Sequence, residues 1–211
     1  MKLKILMMIL FCLITLGFWN TWGRAETPAE RVGGILGEVM AIQTNPQLEG
    51  PAFRTQRRAA IKKVIGQNFH FDAMAKKALD TYWGKLNEAE RADFKGIFQE
   101  LFQDSYTKLV LDFLKQGKIL YIQEKLDHDQ ALIKTTLVRL NEDIPVDYSL
   151  ALVQGHWLVE DVAIDGVSIV GNYRRSFIRV IKQESYESLL KKMRLQQNAI
   201  EKPPSAMQSR E

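Results

Sequence analysis

The chain has 211 residues, with 29 lysines and arginines against 25 aspartates and glutamates, and one cysteine, Cys12. Lys2, Lys4, Arg24 and Cys12 all fall in the first 25 residues, so the remainder carries a formal charge of +1 and no thiol. This excludes a disulfide framework and thiol catalysis, and it removes the cationic balance on which a nucleic-acid-binding reading would rest.

The chain opens on "MKLK", followed by the uncharged apolar run "ILMMILFCLITLGFW" and the small residues Gly23 and Ala25. A short basic start, an apolar stretch of this length and a small-residue site predict a secretory signal over 1–25, cleaved after Ala25. A spanning helix needs about 20 apolar residues. Phe11 before Cys12 makes a poor lipoprotein site. An exported domain free of cysteine fits the periplasm of a Gram-negative bacterium. The far end, 201–211, is polar and broken by two prolines, as a disordered tail is. One domain is therefore expected over 27–200.

Within it, Thr27 and Pro28 open a first helix with Val32, Ile35, Leu36, Val39 and Met40 on one stripe. Glycines 33, 34 and 37 suit close packing. A phosphate loop would also need a lysine and a hydroxyl that are missing here. After the loop "NPQLEGP", the stretch 52–69 reads as a basic amphipathic helix with a solvated cationic face. A short helix from about Asp72, capped by that residue, comes next. Asn87 and Glu90 form a capping box. Phe94, Ile97, Phe98, Leu101, Phe102, Leu109 and Phe113 then recur at helical spacing up to Gly117, a helix of about 40 Å at 1.5 Å per residue.

Period two follows. "KILYIQEKLD", "QALIKTTLVRLN", "DIPVDYSLALVQ" and "GHWLVEDVAIDG" read as four sequential strands with hairpin spacing. Ile144, Val146, Tyr148, Leu150 and Leu152 share one face of the third. After Gly166, helical spacing returns through Val167, Val170, Tyr173, Phe177 and Ile181, and a last helix carries Leu189, Leu190 and Met193. The fold class is α+β: an antiparallel four-stranded meander, one face covered by the long helix.

Catalytic constellations are scarce. His70, His128 and His156 are not spaced for a metal. Ser168 lacks the glycine two residues later that a nucleophile elbow requires. Asp161 and Asp165, four apart on a strand, would stand about 13 Å from each other, beyond the carboxylate spacing of glycosidases. Arg174 and Arg175 suit either a phosphate or a wet helix face. What abounds is large apolar material: Phe94, Phe98, Phe102, Tyr106 and Phe113 face a sheet rich in aromatic and branched residues. The space between is either an ordinary core or a pocket for an apolar ligand.

"NFHFDAMAKKALDTYW", "ADFKGIFQELFQDSYTKLVLDF" and "IPVDYSLALVQGHWLVEDVAIDGVSIVGNYRRSF" are together similar to the MlaC family of periplasmic phospholipid-binding proteins, also known as toluene-tolerance or ABC-transporter auxiliary components. The resemblance runs from about Pro28 to Leu195, and its most specific part extends from Tyr148 to Phe177. The family usually has glycine where Asp80 or Thr81 stands here. The resemblance implies a strongly curved, helix-covered sheet like that of nuclear transport factor 2, with a deep apolar pocket for acyl chains. Pocket-lining residues would be Phe71, Met74 and Trp83; Phe94, Ile97, Phe98, Leu101, Tyr106, Leu109 and Phe113 of the long helix; and Val146, Tyr148, Leu150, Trp157, Val162 and Ile164 of the sheet. Val167, Ile169, Val170, Tyr173 and Phe177 would complete the lining, with Arg174 and Arg175 near the mouth for headgroups or partners. It further implies a monomer with no cofactor and no catalytic residue, carrying phospholipid between an outer-membrane lipoprotein complex and an inner-membrane ABC transporter of Mla type. Three alternatives remain. One is an isomerase or hydrolase using the same cavity with Asp147, Tyr148 or Asp161. The others are a carrier of another apolar lipid such as a hopanoid, and an adaptor with a filled core.

Overall fold

The computed structural model describes residues 25–201 apart from 114–116 and 140–141. The expected signal and nearly all of the expected tail lie outside the described residues. The elements in chain order are α1 (Pro28–Gln43), α2 (Arg54–Asn68), α3 (Phe71–Leu79), α4 (Glu88–Phe113), β1 (Lys118–Asp127), β2 (Gln130–Arg139), β3 (Glu142–Val153), β4 (His156–Ile164), β5 (Val167–Ser168), α5 (Ile169–Gln183) and α6 (Tyr186–Glu201). Short 3-10 turns follow α1 and α3. Among the described residues no helix is long and apolar enough to cross a membrane.

Helix starts obey local chemistry in α1 and α4. Thr27 accepts from the Glu30 amide at 3.1 Å while the Glu30 carboxylate accepts from the Thr27 amide, and Asn87 and Glu90 do the same for α4. In α3 a tertiary bond decides instead. The chain at Phe69 bridges Val159 of β4, and the His70 amide donates to the Val159 carbonyl at 2.8 Å. The helix therefore begins at Phe71, and Asp72, expected to cap it, pairs with Lys95 of α4 at 2.7 Å. The cationic face of α2 is likewise not simply solvated. Because α2 packs on α4, Arg58 and Lys62 both reach Asp104 at 3.1 Å, and buried Arg57 donates to the Leu48 and Gly50 carbonyls.

The sheet is an antiparallel meander in the order β1-β2-β3-β4-β5, the four expected strands plus a two-residue fifth. Asp165 and Gly166 both take positive φ, 49° and 73°, and close a two-residue hairpin that pairs Val167 with Ile164 before α5 begins. Two bulges bend the sheet, one at Ile122 of β1 and one at Glu160 of β4. The sheet is covered by helices, as expected, with α4 taking a smaller share of that cover than the sequence suggests. The sheet is met by α5, α3 and α2 against β4 and by α1 against β2, while α4 is bedded among α2, α3 and α6. The reason is that α4 is apolar around most of its girth: Phe94, Phe98, Leu101 and Phe102 are at most 1% exposed, and Val110 and Leu111 are also buried. Such a helix must be surrounded rather than laid on one surface.

Candidate functional site

The interior has two parts. In the first, rings fill the space. Phe94, Phe98, Phe102 and Tyr106 run along α4 with successive centroids 6.0, 6.0 and 5.6 Å apart. From α5, Phe177 meets Phe94 edge-on at 5.9 Å and Tyr173 meets Phe98 at 5.5 Å. Phe69 and Phe71 close the other side against Phe102 at 5.6 and 5.8 Å. These separations are those of well-formed aromatic pairs. Trp83 sits at the outer end, half-buried under the Arg91 guanidinium.

The second part lies on the inner face of the sheet. Residues opposite each other in a ladder share a face. One row runs Glu124, Ile133, Tyr148, Val162, and the next runs Tyr121, Thr135, Val146, Ile164. In the first row Ile133, Tyr148 and Val162 are buried. In the second, Val146 and Ile164 are only half-buried and Tyr121 is 49% exposed; Thr135 alone is buried, its hydroxyl donating to the Val146 carbonyl. Beyond it Leu137 and Ile144 are buried again, Leu137 lying tight against Gly117. A half-open band thus crosses the sheet between rows that are closed at β2 and β3. Leu109 of α4, Ile169 and Tyr173 of α5, and Ile119 of β1 are half-buried as well.

Of the residues expected to line a pocket, the structure brings two groups together. Phe71, Met74, Phe94, Ile97, Phe98, Leu101, Leu150, Trp157, Val162, Val170 and Phe177 belong to one buried cluster, into which Tyr106 and Tyr148 also reach. Leu109, Val146, Ile164, Ile169 and Tyr173 are half-buried and pack against that cluster from its edge. Val167 joins neither: it stands 53% exposed on the edge hairpin. The side chain of Phe113 falls outside the described residues. Leu152 shares a face with Leu150 but lies 40% exposed near the strand's end.

The acid–base candidates are occupied structurally. Asp161 accepts from the Val170 amide at 3.1 Å and from the Ser168 hydroxyl, while Ser168 caps α5 through the Gly171 amide at 2.8 Å. Asp147 lies 3.8 Å from Lys134. Tyr148 is hydrogen-bonded to Tyr106, and burial pushes both phenols up, so neither is a base. Among the described residues no cluster of histidine, cysteine and carboxylates could hold a metal. Arg174 and Arg175 are exposed on α5, Arg174 at 4.0 Å from Asp80 and Arg175 donating to Asn172.

Two residues that share the inner face with the half-open band were not singled out from the sequence, Ile119 and Tyr121. They alternate correctly at the start of β1, but the bulge at Ile122 breaks the period immediately after Tyr121. The alternation before that break was the available signal. Glu160 is a third surprise. As the extra residue of its bulge it turns inward, 8% exposed in its side chain, between His70 Nδ1 at 3.0 Å and Lys77 Nζ at 2.5 Å.

Comparison with known proteins places this architecture. The family model described as MlaC protein matches residues 35–195. The toluene tolerance protein ttg2D of Pseudomonas putida is 23% identical over 159 residues, 72% of each chain. Among solved structures, a phospholipid-binding protein of Ralstonia solanacearum, in complex with a phospholipid, superposes with a TM-score of 0.71 at 18% identity, covering 85% of this chain and 100% of its own.

Proposed function

The chain belongs to the MlaC family, and on that premise we propose that it is a periplasmic phospholipid carrier, exported by a cleaved signal over 1–25. It holds acyl chains against the inner face of the sheet and ferries them between an outer-membrane lipoprotein complex and an inner-membrane ABC transporter. It is a monomer, works without a cofactor and catalyses no reaction. The observation that carries this reading is the half-open apolar band at Val146 and Ile164 on the inner face of the sheet. Hydrocarbon left half-wet between the buried pairs Ile133–Tyr148 and Leu137–Ile144 is a surface that a guest chain would cover. The phospholipid named for the Ralstonia protein supports the choice of guest.

The energetics suit a carrier. Each methylene withdrawn from water is worth about 0.8 kcal/mol, so two chains of ordinary length are worth on the order of 20 kcal/mol against water. Against a bilayer the difference is near zero, because both environments are hydrocarbon. The protein can then keep lipid across an aqueous space and still release it, with direction imposed by partners that bind loaded and unloaded forms differently. Arg174 and Arg175 are the proposed contacts for headgroups or partners, and reversing both charges weakens partner-dependent lipid transfer. The deciding experiment is organic extraction of the purified mature protein followed by mass spectrometry. About one phospholipid per protein is expected; protein purified from envelope extracts without lipid overturns the proposal.

A further inference from the structure

The inner wall carries hydroxyls as well as hydrocarbon, and their protons are not equally committed. Thr135 donates to the Val146 carbonyl at 2.7 Å. Tyr173 shares a hydrogen bond with Ser105, and a helical serine has the carbonyl four residues back as a further acceptor. Tyr106 of α4 and Tyr148 of β3 are bonded to each other. Two phenols bring two protons, and one mutual hydrogen bond uses one of them. Among the described residues the pair has no other hydrogen-bond partner. Burial holds both phenols protonated, so the second proton stays. A donor kept from water without an acceptor is costly.

The pair sits where the two parts of the interior meet. Tyr106 is 9% and Tyr148 6% exposed. On one side the Tyr106 ring packs on Phe69 and Phe102 at 5.5 and 5.6 Å. On the other come half-buried Val146, two residues before Tyr148 on the same face, and Leu109, one turn beyond Tyr106. Tyr121 stands at the rim: its hydroxyl lies 3.1 Å from where a Cβ on Gly33 of α1 would be, and it is near enough to Tyr148 to influence its ionisation.

We infer that the Tyr106–Tyr148 pair donates a hydrogen bond to the acyl ester carbonyl of the guest, so that the protein selects ester-linked lipids, with Tyr121 closing over the ester from the rim. This rests on the carrier reading. The acceptor is a neutral carbonyl rather than a phosphate or a free carboxylate for reasons of charge. The cations of the described sheet rows stand away from Tyr148: Lys134 lies on the opposite face with Asp147, Arg139 is on the same face but six residues along β2 from Ile133 and opposite Glu142, and the charged residue in the Tyr148 row is Glu124, an anion. An anion brought there would be desolvated without a counter-charge. A carbonyl needs one donor, and one is available.

The test uses delipidated full-length mature protein loaded from vesicles containing equal amounts of ester-linked phosphatidylethanolamine and its ether-linked analogue with the same chains. Bound lipids are quantified by mass spectrometry. The wild type takes the ester form about fivefold over the ether, the size expected of one neutral hydrogen bond. Tyr148→Phe and, independently, Tyr106→Phe bring the ratio to about one while total lipid is retained. Lipid bound without preference in the wild type, or a preference that survives in a folded Phe variant, overturns the inference and leaves the carrier reading standing. Failure to take up either lipid overturns both.

Discussion

The ring-filled half of the interior and the half-open band of the sheet are built from the same kinds of side chain and end in opposite conditions. Around Phe98, rings from Phe94, Phe102, Tyr173 and Phe177 approach within 5.5–6.3 Å and leave it 0% exposed. Around Val146 and Ile164, residues just as apolar remain half-wet. Hydrophobic composition therefore does not separate core from binding site in this fold; what separates them is whether helices reach the surface in question. Near β4, α3 and α5 lie directly on the sheet. Toward β1, cover comes from α1, whose Gly33 is faced by the Tyr121 ring.

The largest effect comes from attacking the closed half. Phe98→Ala removes a ring that touches four others, and its cost to folding is about 3–5 kcal/mol, as for fully buried phenylalanines generally. Urea unfolding measures it. A loss below about 1 kcal/mol would mean that the cluster tolerates vacancy and that the two halves are alike.

The buried charge at the β4 bulge is the next place to press. Burial pulls the Glu160 carboxyl upward, but bonds from Lys77 and His70 outweigh it and hold it below the usual carboxylate range. A group held below its unfolded value adds stability that is complete above that value, near 4.5, and is lost as pH falls through the folded value. Wild-type stability should therefore drop on acidification below about pH 5. Glu160→Gln should start about 1–2 kcal/mol lower, allowing for the partly exposed Lys77, and fall less steeply. Equal slopes in urea titrations at pH 6 and pH 4 would show that the bulge is not held by charge.

Much of this was legible from the residues. Capping boxes, hairpin turns and period-two strands depend on neighbours in sequence, so α1, α4 and the meander came out with their order and nearly their ends. What could not be read were features set by distant partners. The start of α3 depends on Val159, the fate of the α2 cations on Asp104, and the inward turn of Glu160 on a bulge that no local pattern announces. The lining residues implied by the resemblance formed one set because neither a resemblance nor periodicity says how far a helix on another layer extends. Only burial split that set in two.

Asp80 shows local chemistry overridden in the same way. It ends α3 with φ 51° and ψ −129°, a region that L-residues avoid and glycine enters freely. Glycine is also the residue that the family resemblance leads one to expect there. Asp80→Gly should stabilise the fold by about 1 kcal/mol, since the exposed Arg174 contact at 4.0 Å contributes little. A thermal melt that rises by a few degrees would fit; a fall would show that the contact to α5 outweighs the strain.

The smallest change in stability is expected where the comparison is most exposed to refutation. Val146→Trp places a large ring in the half-open band. In a packed core that much added volume costs about 1–3 kcal/mol or more. In a space reserved for a guest it meets no protein atoms that must move, and the ring gains burial, so folding stability should change by no more than about 0.5 kcal/mol. Co-purified lipid should nonetheless fall several-fold, because the ring occupies the volume of several methylenes. The two readings of the band diverge most in this variant. A strongly destabilised protein identifies Val146 as ordinary core. A stable protein with undiminished lipid moves the guest elsewhere. A stable protein stripped of lipid ties the half-wet row to the cargo.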